Sequence, residues 1–349
     1  MAKQVCAAIV LFLCTSLAGG CNKGGNLLRD AVRVAVEAVQ PQANQPHAVA
    51  FDTLGDRWND ENGVPWEAAG ALAQMCKLSY AGEAEINTTL AEWGLPKVSH
   101  FRNGPLYACA ASDDRTVLIA FRGTDDSKDW LVNADAAPQP VRHGLIHRGF
   151  YQGMKSLYPE LVAAAADHGV EKKHLWVTGH SLGGALAVAF AYESLAEGGV
   201  RPAGVVTFGQ PLLADTALGS FVSHHLAGNY VRFVNERDVV TRVPPGYVHF
   251  GKLVWFHDGK LELDAPPVLS DAAGRATASG RPELAPLSTA EFRSLQQGIR
   301  DLRQLGKDFD PARLQSYQER VAAVTDHFMA AYLRGIDAFA ASSPRVAGR

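Results

Sequence analysis

Hydrophobic residues follow two different periods along this chain. Short apolar runs of strand length alternate with longer segments in which apolar residues recur every three or four positions. The runs at residues 106–111 and 116–121 are separated by four polar residues, which predicts a β-hairpin. The later runs at 175–178, 204–208 and 230–234 are separated by segments of helical period. This alternation predicts an α/β fold, with a mostly parallel sheet flanked by helices on both faces.

Several segments carry the local signals of helices and turns. Pro65 precedes apolar residues whose 3-4-3-4 spacing, from Trp66 to Tyr80, places them on one helical face. Ser288 and Glu291 have the spacing of a capping box before an apolar stripe. Asp258-Gly259 lies between two short runs and predicts a hairpin turn. Further helices are predicted near residues 151–166, 184–196, 212–225, 311–324 and 328–339.

The first twenty residues have the layout of an export signal. Lys3 is followed by an apolar run at residues 5–14 and then by small residues. A helix that crosses a bilayer needs about 20 residues, so we interpret residues 1–20 as a signal peptide. The sequence Leu-Ala-Gly-Gly-Cys that ends at Cys21 also resembles a bacterial lipobox, in which the cysteine is lipidated. Two alternatives stay open: a lipid anchor on Cys21, or cleavage near Gly20 with no role for Cys21.

Composition divides the rest of the chain. Residues 21–50 mix Gly, Asn, Gln and Pro, and we interpret them as a lipid-anchored or flexible tether. Residues 51–340 form the predicted α/β domain, and residues 341–349 form a C-terminal tail. Within the domain, residues 265–287 are rich in Pro, Gly and Ala and predict an irregular insertion of unknown role.

Charge and cysteine content exclude several classes of function. The chain has 349 residues, of which 47% are hydrophobic, so it can bury a large core. Its 33 basic and 36 acidic residues form no basic stripe, which argues against nucleic-acid binding. Five cysteines without a Cys-x-x-Cys pair argue against structural zinc. Of these, Cys76 and Cys109 belong to the domain, and the sequence leaves open whether they pair.

One motif carries chemistry. Gly179-His180-Ser181-Leu182-Gly183 has the G-x-S-x-G form of a nucleophile elbow, in which a serine stands on a sharp turn between a strand and a helix. A predicted strand precedes it, and small residues typical of a helix start follow it. The alternative is a glycine-rich turn in which Ser181 only caps the helix. In this fold an acid and then a histidine follow the serine along the chain.

The chain offers a small number of partners for Ser181. Asp238 follows the strand run that ends at Val234, so we expect it at the same sheet edge; a surface pair with Arg237 or Arg242 is its alternative role. Asp215 is better placed to cap a helix. Of the histidines after Asp238, position favours His327, just before the last helix, over His249, while His257 is expected to stabilise a turn.

These residues together resemble the class 3 lipases, the fungal-type triacylglycerol lipase family of α/β hydrolases. The resemblance extends over about residues 60–340. It is carried by Phe121-Arg122-Gly123-Thr124 with Asp129-Trp130 and Asn133, His147-Arg148-Gly149-Phe150, Gly179 to Gly184 with Thr207-Phe208-Gly209-Gln210-Pro211, Val234 to Val240, and Asp326-His327 with Tyr332.

The resemblance implies an α/β-hydrolase fold and a role for each site residue. It implies Ser181 as the nucleophile, Asp238 as the acid and His327 as the base, with His249 structural. The backbone N–H groups of Thr124 and Leu182 are implied as the oxyanion hole. Residues 125–132 follow the oxyanion loop, where fungal relatives begin their lid, and both a short lid and a fixed surface turn stay open.

The expected function is that of a serine carboxylic-ester hydrolase, a lipase that cleaves acylglycerol esters through an acyl-enzyme, with no cofactor and no metal. A phospholipase A1 or non-lipid esterase on the same scaffold is the alternative, and a catalytically silent lipoprotein that binds lipid or a partner is the remote one. The expected partners are a lipid or ester substrate and, with an anchor, the membrane surface. The expected location is the bacterial cell envelope or the exterior; nothing predicts the oligomeric state.

Overall fold

The computed structural model of the protein describes residues 51, 54, 55, 58, 65–124, 137–264, 284–304 and 327–342. The predicted signal peptide 1–20, Cys21, the tether, residues 125–132, the insertion up to residue 283, the helix at 311–324 and the tail from residue 343 lie outside the described residues.

The described chain begins with two helices and then alternates strands with helices. The elements up to the serine motif are α1 (Trp66–Leu78), α2 (Glu83–Glu92), β1 (Lys97–Asn103), β2 (Leu106–Ser112), β3 (Thr116–Phe121), β4 (Pro138–Val141), β5 (Gly144–His147), α3 (Arg148–Lys155), α4 (Tyr158–Asp167) and β6 (His174–His180). The later elements are α5 (Leu182–Glu197), β7 (Gly204–Phe208), α6 (Thr216–Leu226), β8 (Tyr230–Asn235), β9 (Lys252–His257), β10 (Lys260–Asp264), α7 (Thr289–Gln304) and α8 (Met329–Ser342).

The central sheet is mostly parallel. Its strand order is β1-β2-β3-β6-β7-β8-β9-β10, and the pairs from β3 to β9 are parallel. The hairpins β1-β2-β3 and β9-β10 add antiparallel strands at its two edges. Because the parallel strands point the same way, the residues that follow β3, β6, β7 and β8 gather at one edge of the sheet.

Both faces of this sheet are buried, which explains the nearly continuous apolar runs of the sequence. In β3, Val117, Ile119 and Phe121 face a cluster formed with α3, α4, α5 and α6. The alternate residues Leu118 and Ala120 face a second cluster that contains α1 and α8. Alternate residues of the strand therefore pack into two different cores, one under each layer of helices. The predicted α/β fold is confirmed.

Several local predictions are confirmed and some differ. The hairpins, α1 and the capping box are found, with Ser288 Oγ accepting from Glu291 N and Glu291 Oε2 accepting from Ser288 N. The helix predicted at residues 151–166 is two helices, because the chain turns at Ser156 and Leu157 and Pro159 suits the first turn of α4. The last helix ends at Ser342, two residues beyond the predicted domain boundary.

Four elements have no counterpart among the predictions: the antiparallel pair β4 and β5, strand β1 and helix α2. Strand β1 reads KVSHFRN and is an edge strand in which Phe101 alone is buried, so it lacks an apolar run. Helix α2 buries Ile86 and Leu90 and is otherwise polar or small. Strand β1 and helix α2 cover the edges of a core that is formed mainly by other segments. Because so few of their residues are buried, neither element shows a periodic apolar pattern in the sequence.

The cysteine question is decided by the structure. Cys76 and Cys109 are buried and free, so they do not pair with each other. Burial raises the pKa of each thiol to about 12, and Cys76 Sγ lies 3.2 Å from Thr178 Oγ1. Both thiols are therefore neutral core groups rather than reactive ones.

None of the helices among the described residues combines the length with the apolar content that crossing a membrane requires.

His168 is a buried polar link between a helix end and the sheet edge. It caps the C-terminus of α4, and its Nδ1 and Nε2 lie 2.8 Å from Ser112 Oγ and 3.0 Å from Ser99 Oγ. Burial lowers the pKa of this imidazole below 6.5. The folded protein therefore holds His168 neutral at pH values where the unfolded chain has already taken up a proton.

We expect acid to destabilise the fold through this histidine. The unfolded pKa is about 6.5, so the contribution of His168 to stability is complete above that pH and is lost as the pH falls below it. The melting temperature should therefore decrease between pH 7.5 and pH 5. His168→Gln, which keeps a donor and an acceptor but does not titrate, should show a smaller decrease; an equal decrease in the variant would contradict this assignment.

Candidate active site

Ser181 stands on a sharp turn between β6 and α5. Its backbone has φ 58° and ψ −131°, a conformation that a residue with a side chain adopts at an energetic cost. Two backbone bonds hold it: Ser181 N donates to Phe208 O at 3.0 Å, and Gly184 N donates to Ser181 O at 2.9 Å. Ser181 Oγ makes no capping bond, and it is one of the buried polar atoms without a partner among the described residues. The interpretation of Ser181 as a helix cap is therefore wrong.

The glycines of the motif allow three backbone segments to meet at this turn. A Cβ on Gly179 would overlap the carbonyl group of Gly183, and a Cβ on Gly183 would overlap the carbonyl group of Phe121 at the end of β3. A Cβ on Gly184 would instead lie 3.1 Å from Gln210 Cβ and 3.2 Å from the backbone oxygen of Gly179. The first two positions consequently require glycine for steric reasons, whereas a Cβ at the third would make tight contacts without overlap.

Asp238 follows β8 at the same edge of the sheet. Its side chain is buried and its oxygens accept several hydrogen bonds. Asp238 Oδ1 accepts from Val240 N at 2.9 Å, and Oδ2 accepts from Tyr332 Oη at 2.6 Å. His327 Nδ1 lies 2.9 Å from Oδ2 and 3.1 Å from Oδ1. These hydrogen bonds offset the cost of burying a polar side chain away from water.

The contact with Asp238 fixes the tautomer of His327. A carboxylate accepts hydrogen bonds, so the nitrogen that faces it, Nδ1, carries the proton. In the neutral ring the lone pair then lies on Nε2, which is buried and has no partner among the described residues. His180, the residue before Ser181, stacks on the His327 ring with 4.6 Å between ring centroids. The unpaired base nitrogen and the unpaired serine hydroxyl thus belong to the same small cluster.

Thr124 and Leu182, the predicted oxyanion residues, both lie beside Ser181. Leu182 is the first residue of α5, so its N–H has no acceptor within the helix and lies at the positive end of the helix dipole. Thr124 follows Gly123, at which a Cβ would stand 3.1 Å from Ser181 Cβ. Thr124 Oγ1 is buried and has no partner among the described residues. Two chain segments that carry potential hydrogen-bond donors therefore meet at Ser181.

The other residues weighed in the sequence have structural contacts. Asp215 Oδ1 accepts from Leu218 N at 2.9 Å and caps α6. His249 is buried, its Nε2 donates to Thr241 O at 2.6 Å, and burial lowers its pKa well below 6.5. His257 stacks on Trp255 at the β9-β10 turn, 4.1 Å between centroids. The structure thus gives each of these three residues a local partner away from Ser181.

Potential metal ligands were sought among the described residues. Glu236, His257 and Asp258 place one ligand atom each within 4.8 Å of one another. The side chain of Asp258 is 76% exposed and pairs with His257 Nε2 at 3.3 Å. This group does not include Ser181, Asp238 or His327, and the chemistry of a serine nucleophile does not require it. The absence of a metal and of a cofactor from the reaction stays a prediction.

Sequence reasoning missed three neighbours of the site. Tyr80 and His180 had no assigned role, and Tyr332 entered only through the resemblance. Tyr332 Oη is buried, donates to Asp238 and accepts from Asn235 N at 3.3 Å. Its contacts join residues 94 and 97 positions apart, so no local pattern of the sequence could have placed it beside Asp238.

The sheet topology and the serine turn have the arrangement of the α/β-hydrolase fold. Comparison with known families supports a narrower likeness: the model of the family lipase (class 3) matches residues 118–248. That range contains Thr124, Ser181, Leu182 and Asp238, and it ends before His327.

Individual proteins show the same likeness. The lipase of Rhizomucor miehei is 32% identical over 160 residues, which are 43% of this chain and 44% of the relative. The secreted mono- and diacylglycerol lipase 1 of Fusarium solani is 29% identical over 167 residues, or 45% of this chain and 49% of the relative. The chain thus spans about half the length of the curated relatives it matches. The solved triacylglyceride lipase of Rhizomucor miehei is 26% identical with a TM-score of 0.46, over 53% of this chain and 77% of that one.

The elbow glycines provide a prediction about stability. Gly183→Ala should destabilise the fold by about 1–3 kcal/mol or more, because the new methyl group would overlap the backbone of β3. Gly184→Ala is the matched control, and we expect a smaller loss of stability than in Gly183→Ala, because its nearest contacts would be 3.1–3.2 Å rather than an overlap with a backbone carbonyl group. Urea unfolding of the two variants measures the difference. Equal destabilisation, or a larger effect at Gly184, would contradict the close approach described above.

Proposed function

We propose that this chain is a class 3 lipase, a serine carboxylic-ester hydrolase that cleaves acylglycerol ester bonds. The observation that carries the proposal is the buried pair of Asp238 and His327 beside the strained Ser181. The elbow and this pair provide a nucleophile, a base and an acid in the order that α/β hydrolases use. The names of the relatives, which include mono-, di- and triacylglycerol lipases, support the substrate class.

In the first half of the reaction Ser181 Oγ attacks the carbonyl carbon of the ester. His327 Nε2 takes the hydroxyl proton, and the carbonyl π electrons move to the oxygen. When the tetrahedral intermediate collapses, the bond to the alcohol oxygen breaks and His327 gives the proton to the leaving alcohol. The acyl group then remains bonded to Ser181 Oγ as an ester.

In the second half water takes the place of the alcohol. His327 Nε2 accepts a proton from water as its oxygen attacks the acyl carbon, and the proton returns to Ser181 Oγ when the fatty acid leaves. The imidazolium formed in each half is stabilised by Asp238, whose position is fixed by Val240 N and Tyr332 Oη. The alcohol leaves with the proton of Ser181 and water restores that proton, so each cycle consumes one ester bond and one water molecule.

The negative charge of each tetrahedral intermediate needs fixed donors. The N–H of Leu182, at the start of α5, and the N–H of Thr124 are the proposed donors, with Thr124 Oγ1 as a third. Loss of one such donor typically lowers the rate by about 10²- to 10³-fold. Arg122, the residue between β3 and Gly123, lies over the Tyr107 ring at 4.9 Å and anchors this loop.

We expect the ester hydrolysis to depend on Ser181 and His327. Ser181→Ala and His327→Ala should each lower kcat at least about 10³-fold on emulsified tri-, di- and monoacylglycerols, and the double variant should lose no more, because the residues act as a unit. His249→Ala, which removes a buried histidine outside the proposed triad, should fold and retain turnover. Equal turnover in wild type and Ser181→Ala would refute the triad. Preferential cleavage of a phospholipid at its sn-1 ester would replace the lipase by a phospholipase A1.

We also propose that the chain is exported, through the signal at residues 1–20. The relatives from Fusarium solani and Malassezia globosa that are named as secreted support this. The lipid anchor on Cys21 rests on the sequence pattern alone.

The mass of the mature protein, purified from its host, distinguishes the two fates of the N-terminus. A diacylglyceryl adduct on Cys21 is the result expected for an anchored lipoprotein. An unmodified N-terminus near residue 21 would support release and remove the anchor. A chain that retains residues 1–20 would contradict export by cleavage.

A further inference from the structure

His180 makes two hydrogen bonds that the proposed mechanism does not use. Its Nε2 lies 2.7 Å from the backbone oxygen of His327, and its Nδ1 lies 2.9 Å from Tyr80 Oη. Three distant parts of the chain meet in this contact: the end of α1, the elbow and the loop before α8. The imidazole of His180 is buried between them, with 6% of its surface exposed.

The partners of His180 fix where its proton lies. A backbone carbonyl is only an acceptor, so Nε2 of His180 must donate to His327 O. In the neutral ring Nδ1 is then an acceptor, and Tyr80 Oη donates to it. Burial, with the nearby His327, lowers the pKa of His180 to about 3, so the ring is neutral wherever His327 works as a base. The direction of both hydrogen bonds is therefore set: Tyr80 O–H to His180, and His180 N–H to His327.

His327 needs a restraint besides Asp238. It lies in a turn just before α8, outside the sheet that carries Ser181 and Asp238. The hydrogen bond to Asp238 holds one edge of the ring, but it leaves the backbone of the turn free to shift. His180 holds that backbone through the carbonyl group and supports the face of the ring by stacking, with 28° between the ring planes. The nucleophile's neighbour in sequence thus sets the position of the base.

We propose that Tyr80 and His180 form a positioning relay for His327, in which a chain of two hydrogen bonds fixes the backbone of the general base relative to Ser181. The proposal rests on the proposed function, because it assigns a role within that same site. Tyr80 also limits the approach of the oxyanion loop, since a Cβ on Gly123 would overlap Tyr80 Oη and stand 2.7 Å from His180 O. Neither residue of the relay exchanges a proton with substrate.

The relay predicts a loss of kcat without a loss of substrate binding. His180→Ala should lower kcat on a soluble p-nitrophenyl ester by about 10- to 100-fold, with KM changed by less than about twofold, because a small displacement of the base affects the chemical step. His180→Gln should recover most of this loss, because its amide can donate to His327 O and accept from Tyr80. Tyr80→Phe should lower kcat by about three- to tenfold alone and by nothing further in His180→Ala, since it acts through His180.

A matched control separates positioning from general destabilisation. His168→Ala also removes a buried neutral histidine with two hydrogen bonds, but His168 lies at the β1 edge of the sheet. It should lower the melting temperature while leaving kcat within about threefold of wild type. A loss of kcat in His168→Ala as large as in His180→Ala would overturn the proposal. So would an unchanged kcat in His180→Ala, or a His180→Gln variant as slow as His180→Ala.

Two further measurements keep the outcome decisive. If His180→Ala does not fold, Tyr80→Phe carries the test, and an unchanged kcat in that variant refutes the relay. If the wild type cleaves no ester, the proposed function fails separately, and the relay is judged by proton NMR. The Nδ1 proton of His327, bonded to Asp238, should then shift or broaden in His180→Ala and keep its wild-type position in His180→Gln; identical spectra in all three proteins would refute the relay.

Discussion

The backbone conformation of Ser181 is the constraint on which the rest of the site depends. A side chain at φ 58° is strained, and it persists because β6, α5 and the end of β3 hold the turn from three sides. Those contacts require glycine at 179 and 183, since a Cβ at either position would overlap a neighbouring carbonyl group. The same close packing exposes the N–H groups at the start of α5 and brings Gly123 against the nucleophile. One strained residue thus joins the serine turn to the two segments that carry the proposed oxyanion donors.

The parallel sheet provides the remaining geometry at low cost. Strands β3, β6, β7 and β8 end at one edge, so Gly209 and Asp238 arrive there without any special loop. Gly209 has φ 58°, and a Cβ on it would lie 2.8 Å from Asp238 Oδ2 and 2.9 Å from His327 Nδ1. It therefore leaves the space in which acid and base meet. His327 alone comes from outside the sheet, and α8, which packs on α1 through Trp66 and Phe339, carries it into place.

Features that depend on residues close together in the sequence could be predicted. Features that depend on contacts between distant residues could not. The apolar runs predict β2, β3 and the parallel strands because both faces of those strands are buried, and the elbow is visible because its glycines lie within five residues. Asp238 could be expected from the order of the strands alone. Tyr80 and His180 could not, because their contacts join residues 100 and 147 positions apart, and no local pattern encodes them. Edge strand β1 was not predicted for a different reason: only one of its residues is buried, so its sequence shows no alternation of apolar and polar residues.

The charge balance of the buried cluster explains why its second histidine has to be neutral. Asp238 is buried and hydrogen-bonded, and the proposed reaction creates one positive charge next to it when His327 accepts the serine proton. Attraction between these two charges is stronger in a buried site than in water. A proton on His180, whose ring lies 4.6 Å from that of His327, would place a second cation there and disfavour protonation of the base. Burial and the nearby His327 ring keep the pKa of His180 low and the ring neutral, so the positive charge of the proposed reaction forms on His327.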